Sequence, residues 1–248
     1  MDLKELPSNV GDDNISEEAN SLISSLPLCT DFQGKKLCNY QGCWYKYNTL
    51  QGVLNFQRGF EPQDTDIILA SFPKSGTTWL KALTSALMER SKNHSFDHHP
   101  LLSDSPHGIF SSLPRLFSTH MPLHAMHETL KGSPCKIVYL CRNVKDTLIS
   151  TFEAFCNGTI YYGPIWEHLS LAIKSRDLRN SWVVLLPRKK KIMDCLEVNK
   201  TKIFNKVDRS IFFRKGEVGD WKNYLTPEME NKLDMIIQEK LQGSGLKF

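Results

Sequence analysis

The sequence predicts an α/β fold: a single domain built on a mostly parallel, doubly wound sheet with a P-loop-like loop between a strand and the helix after it. Three observations carry this reading. The apolar run Ile67 to Phe72 passes through a short Pro/Gly/Ser/Thr loop into Leu80, Leu83 and Leu87, which are spaced as a helical stripe. Cys135 to Cys141 repeats the pattern, with Asp146 in position to cap the helix that follows. Strands alternating with helices argue for a parallel sheet. Finally, 248 residues with 40% apolar and 23% charged side chains suffice for one sizeable core.

Residues 1–24 read as a mobile acidic tail, since residues 1–20 hold six acids against the single base Lys4. The domain then spans 25–248. Phe32, Tyr40, Trp44, Tyr45, Tyr47, Phe56 and Phe60 are read first as core packing, with an acceptor-pocket wall as the alternative. Residues 91–114 lack periodicity and read as a surface loop. Arg115 to Thr119 is a second strand, and it ends at His120. The strand ending at Cys141 delivers Arg142 and leads into a helix with Leu148, Ile149, Phe152 and Phe155 on its apolar face. A last helix opens with Thr226 as N-cap and Pro227 at the first position; Met229, Leu233, Ile236, Ile237 and Leu241 form its stripe, and Gly243 stops it.

Composition narrows the function. No apolar stretch approaches the roughly 18 residues of a membrane span, and Met1 to Glu5 lacks the layout of a signal peptide. The expected location is the cytoplasm. Seven cysteines with no C-x-x-C pair are expected to be reduced, mostly packing thiols. The net charge of +4 conceals eleven bases and five acids in residues 186–222. No nucleic-acid-binding motif accompanies them, so a ligand with several phosphate charges suits this stretch. Arg188 to Lys191 itself reads as a solvated basic surface.

The chemistry-bearing residues fall where strands end. A helix opened by a Gly/Ser/Thr loop aims free N–H groups and the positive end of its dipole at an anion. Here Lys74 adds a charge, and Ser75, Thr77 and Thr78 add hydroxyls around Gly76. Lys74 precedes the glycine, so this is not a Walker A loop. The string Pro73-Lys-Ser-Gly-Thr-Thr-Trp79 instead resembles the 5′-phosphosulfate loop of cytosolic sulfotransferases. Ser118-Thr-His-Met-Pro122 is similar to the segment that carries that family's general base, and histidine can take up a proton near neutral pH. Many members have lysine two places before this histidine; Ser118 stands there, as small residues do in plant members.

Arginine clamps phosphate through two parallel hydrogen bonds. Tyr139 to Asp146 with Ser150 resembles the family's 3′-phosphate segment through Arg142 and Ser150. Arg214-Lys-Gly216, within Arg214-Lys-Gly-Glu-Val-Gly-Asp-Trp221, resembles its second half. His120, His124 and His127 imitate a metal-binding face, but Pro122 breaks a helix there and no carboxylate or cysteine completes a site.

The resemblance covers about residues 30–168 and 196–248 and is nearest to plant soluble sulfotransferases. It implies sulfuryl transfer from 3′-phosphoadenylyl sulfate (PAPS) to a hydroxyl of a small phenol, flavonoid or steroid. His120 and Lys74 would be catalytic. Lys74, Ser75, Gly76, Thr77, Thr78, Trp79, Arg142, Ser150, Arg214, Lys215 and Gly216 would bind the co-substrate, with no metal required. The chain departs from the family between His168 and Leu196, where members have a longer stretch that includes adenine contacts. Against that pattern Trp182 to Leu186 reads as a remnant of the family's strand, and Pro187 and a basic run follow it. The dimer motif some relatives carry near Lys222–Asn231 is interrupted by Pro227 and Asn231, so a monomer is expected. A nucleotide-binding relative that no longer turns over is the alternative function. A P-loop ATPase or kinase is a distant third.

Overall fold

A computed structural model describes residues 15–31, 34–90, 115–156, 158–174, 181–185, 203–204, 207–208 and 219–242. The chain enters through helix α1 (Glu17–Ser25), which Ser16 caps by accepting the N–H of Ala19. The expected tail therefore ends earlier than residue 24. Ala19 and Ile23 are buried, because a helix that repeats apolar residues four apart can dock on the core despite its acidic first turn. Residues 1–14 lie outside the described residues.

Strands β1 (Leu28–Thr30), β2 (Lys36–Tyr40) and β3 (Cys43–Lys46) form an antiparallel sheet that the sequence reading did not assign. Gln41 and Gly42, with φ of 52° and 80°, make the two-residue turn between β2 and β3. Helix α2 (Tyr47–Gly59) follows. Tyr45, Phe56 and Phe60 are buried, so core packing is the role of these aromatics.

The central sheet carries the site. Among the described residues it has four parallel strands in the order β5 (Leu116–Thr119), β4 (Ile67–Ser71), β6 (Lys136–Cys141) and β7 (Ser181–Leu185). The chain runs from β4 out to β5, then crosses β4 to reach β6. That reversal is the topological switch point at which α/β sheets bind ligands. Register sets the strand ends level: Ala70 pairs with Thr119 and Tyr139, and Ser71 with Leu140. At the opposite end the Arg115 guanidinium binds the buried Asp66 carboxylate, with Nη2 to Oδ2 at 2.6 Å.

Helix α3 (Thr77–Glu89) links β4 to β5, and α4 (Leu123–Leu130) links β5 to β6. After β6 come α5 (Val144–Leu148), a 3-10 turn (Ile149–Thr151), α6 (Phe152–Cys156) and α7 (Ile165–Lys174). The single helix expected after Arg142 is thus broken into segments. Its cap is Asn143, whose side chain accepts the N–H of Asp146 at 3.2 Å. Two short strands, β8 (Ile203–Phe204) and β9 (Val207–Asp208), pair as a hairpin. The chain closes with α8 (Pro227–Leu241), capped by Thr226 and carrying Pro at its start as its sequence dictates.

The two faces of the sheet are unequal. Ile68 and Ala70 face the main core, where α2, α4, α7 and α8 pack in succession. Leu69 and Leu116 face the other side, with Ile67, Leu80 and Val138 against them. On α3 the buried residues are Thr78, Lys81, Ala82, Ser85 and Glu89, while Leu83 and Leu87 are 38% and 60% exposed. The stripe read from sequence as the buried face is thus largely the outer one. Burying the polar side is tolerable because Thr78, Lys81 and Glu89 each have an interaction partner. The six described cysteines are free thiols, four of them buried, as expected of packing residues.

Candidate active site

The phosphate-type loop joins β4 to α3. Ser75 donates its N–H to the Phe72 carbonyl at 3.1 Å, and Lys74 at φ 66° and Gly76 at φ 110° complete the reversal. A left-handed lysine is an uncommon conformation, of the kind retained where surrounding structure enforces it at functional sites. Gly76 is the helix cap and brings no side-chain acceptor, so the first-turn N–H groups of α3 keep their capacity for an anion. Lys74 is exposed, Trp79 is half-buried, and Ser75 and Thr78 are buried. The Thr77 hydroxyl shares a 2.6 Å hydrogen bond with Ser71, which ties the helix start to the strand end.

His120 follows β5 beside this loop. Its Nδ1 lies 2.8 Å from the Ser71 carbonyl, which can only accept, so Nδ1 carries the proton and the lone pair resides on Nε2. Burial is the main cause that lowers its pKa, and the charges of Lys81 and Lys74 lower it further. The imidazole is therefore neutral at neutral pH and able to take up a proton. The Tyr162 ring lies 5.5 Å away, centroid to centroid. His124 and His127 do not join it. The first contacts the Gln41 carbonyl at 2.9 Å, and the second contacts Glu128 at 2.8 Å. No group of three or more His, Cys, Asp or Glu placed to hold a metal occurs among the described residues.

Arg142 follows β6, so Lys74, His120 and Arg142 all emerge from level ends of adjacent strands. Ser150 sits in the 3-10 turn, with its side chain outside the described residues. Arg214, Lys215 and Gly216 also lie outside them, as do Arg188 to Lys191, Cys195, Gly243 and the loop 91–114. The segment just after Gly216 is anchored, however. The buried Asp146 carboxylate accepts the N–H of Gly219 at 2.9 Å and of Trp221 at 3.0 Å. Lys145 beside it bridges Glu230 and Asp234 on α8. The Arg142 turn and the end of the Arg214–Trp221 string are therefore fastened together across some seventy residues of sequence. Sequence reasoning took Asp146 for a helix cap and missed this long-range role, as it missed Lys81, Tyr162 and His168.

A sulfotransferase domain model matches residues 64–186 and 188–245, two pieces that meet at Pro187. Cytosolic sulfotransferase 4 of Arabidopsis thaliana is 57% identical over 275 aligned positions, covering all of both chains. Cytosolic sulfotransferase 1 of the same plant is 48% identical over 328 positions, covering 98% of each. An alignment that long against 248 residues leaves a block of the relative without a counterpart here. The 275-position alignment, covering all of both, shows that the first relative is itself a shorter chain. Among solved structures, an Arabidopsis thaliana sulphotransferase superimposes with a TM-score of 0.73 at 34% identity, covering 98% of this chain and 99% of that one. Mouse sulfotransferase SULT7A1, crystallised with PAP, has the same fold at a TM-score of 0.59 and 24% identity, covering 84% and 96%.

Proposed function

The chain belongs to the plant cytosolic sulfotransferase family and is a PAPS-dependent sulfotransferase; on that premise we propose that it sulfates a hydroxyl of a small phenol, flavonoid or steroid in the cytosol, acting as a monomer. The observation that carries the site assignment is the junction of a loop suited to phosphate with a neutral histidine, locked in the Nδ1–H form by the Ser71 carbonyl.

The residues present fit the nucleotide. Bound there, PAPS supplies an activated sulfuryl group on a phosphate leaving group. Lys74 and the first-turn N–H groups of α3 stabilise the charge that develops on the leaving phosphate oxygen, as fixed donors do in other transfers between oxyanions. His120 accepts the acceptor's proton at Nε2 as its oxygen bonds to sulfur and the sulfur–oxygen bond to phosphate breaks. Arg142 and Ser150, with Arg214, Lys215 and Gly216, hold the 3′-phosphate. Asp146 keeps Gly219 and Trp221, which follow the second group in sequence, beside the helix that follows Arg142. The family's metal-free chemistry is proposed for this chain too, because the positive charges needed are supplied by lysine, arginine and backbone N–H groups.

The second reading, a relative that binds the nucleotide but turns over poorly, has its own support. The family match breaks at Pro187, and Leu83, Leu87 and Met88 stand exposed on α3. Incubating the purified chain with sulfur-labelled PAPS and a panel of phenols, flavonols and steroids separates the two. We expect labelled product with at least one acceptor, unaffected by a chelator. Nucleotide binding without label transfer to any acceptor would select the second reading.

A further inference from the structure

His168 is the most completely enclosed histidine of the protein's described part, and the mechanism above leaves it without a task. It lies on α7 with no exposed surface. Its Nε2 is 2.8 Å from the Tyr162 carbonyl and its Nδ1 is 3.0 Å from the Tyr139 hydroxyl. Burial pushes its pKa down to about 3, so the ring is neutral throughout the working range. A carbonyl can only accept, so Nε2 carries the proton and Nδ1 accepts from Tyr139. Both ring nitrogens are thus used, each with a defined polarity. The Phe72 ring, at the start of the phosphate loop, meets this imidazole edge-on at 5.2 Å.

The carbonyl it holds belongs to an unusual residue. Tyr162 has φ 64°, a conformation that a bulky aromatic residue adopts only when its surroundings enforce it. Backbone bonds to Trp44 hold the turn from one side, with Tyr162 donating to the Trp44 carbonyl at 2.8 Å and Trp44 to the Gly163 carbonyl at 2.9 Å. His168 holds the peptide between those two contacts. The Tyr162 ring, placed by that peptide, packs against His120 and against Tyr45 and Tyr161.

We infer that His168 is a positioning residue: by donating to the Tyr162 carbonyl and accepting from Tyr139, it fixes the 160–163 turn so that the Tyr162 ring shields the catalytic base His120. The inference rests on the assignment of His120 as that base. Among the described residues, the groups that bear on His120 are the Ser71 carbonyl, Lys74, Lys81, His168 and the Tyr162 ring. Loosening the turn admits water to the imidazole and relieves the burial that lowers its pKa, so His120 should then titrate at a higher pH.

Two substitutions divide the two hydrogen bonds. His168→Gln places an amide N–H near the position of Nε2 and keeps the bond to Tyr162. His168→Asn places its polar atoms near Nδ1 and keeps only the contact with Tyr139. The test is an NMR titration of the histidine ring signals, with His120 identified by its absence in His120→Ala, together with the pH profile of kcat. In His168→Asn the His120 titration and the acidic limb of kcat should both move to higher pH. The kcat/KM for the acceptor should fall at least tenfold, with the affinity for 3′-phosphoadenosine 5′-phosphate (PAP) retained within about threefold. His168→Gln should stay near wild type. Should His168→Asn fail to fold, Tyr139→Phe removes the hydroxyl that orients the ring and should shift the same signals less far in the same direction. An unmoved His120 titration in these variants overturns the inference. Persistence of the acidic limb in His120→Ala overturns instead the assignment of the base, and the NMR titration still reports on the packing.

Discussion

Replacing His120 with alanine lowers kcat by about 100- to 10 000-fold, the range expected for loss of a positioned general base, while PAP affinity stays near that of wild type. The division follows from geometry. On the proposed assignment His120 receives the acceptor's proton and does not hold phosphate, whereas the proposed phosphate loop is closed by its own bonds, Ser75 to Phe72 and Thr77 to Ser71. A base must be deprotonated to act, so activity is lost as pH falls through its pKa. Burial and the nearby lysines lower that pKa, and the acidic limb of wild-type kcat should lie below the ordinary histidine range. Single-turnover rates with PAPS and calorimetry with PAP measure the two quantities separately. Equal losses of turnover and nucleotide affinity would assign His120 a structural role.

Arg142→Ala should weaken PAP binding about ten- to a hundredfold, the loss of a charge-assisted contact of about 1.5–3 kcal/mol. Arg142 emerges from β6 at the level of the phosphate loop, and Asn143 immediately caps the following helix, so the backbone that presents the guanidinium is rigid. Charge neutralisation also makes the contact salt-sensitive. Wild-type affinity for PAP should fall steeply as ionic strength rises, and the mutant's should fall less steeply. Isothermal calorimetry at two salt concentrations checks both. Unchanged affinity in Arg142→Ala would remove this residue from the 3′-phosphate site.

Local signals in the sequence foretold local structure. The apolar run at 67–71 became β4, the Pro/Gly/Ser/Thr stretch became the loop, and the Thr226–Pro227 pair opened α8, because caps and breakers act through neighbouring backbone groups. Trp182 to Leu185 also proved to be a strand, paired in parallel with β6. Long-range demands were not legible. Asp146 has the right chemistry for a cap, but the N–H groups that recruit it lie 73 and 75 residues away. Nothing about a lone His168 announces that its partners are Tyr139 on β6 and a carbonyl in the turn before α7.

The stripe on α3 failed for a different reason. Periodicity identifies an apolar face without saying whether the chain supplies a cover for it. The opposite face of α3 is the one buried, carrying Lys81, Ser85 and Glu89 into the interior, with Lys81 close enough to bear on His120. Relatives that align over 328 positions have residues where this chain has none. Leu83, Leu87 and Met88 are left exposed. Such exposure forfeits stabilisation of about 25 cal/mol per Å² of apolar surface.

The shortened chain is proposed to retain a working nucleotide site. Thermal unfolding with and without PAP tests it most directly. At a hundred times its dissociation constant the ligand stabilises the fold by about 2.7 kcal/mol, which for a domain of this length raises Tm by about 5–10 °C. A rise of that size, reduced in Arg142→Ala and retained in His120→Ala, is the result expected. An unchanged Tm at millimolar PAP would mean that the chain keeps the family's motifs without its nucleotide site.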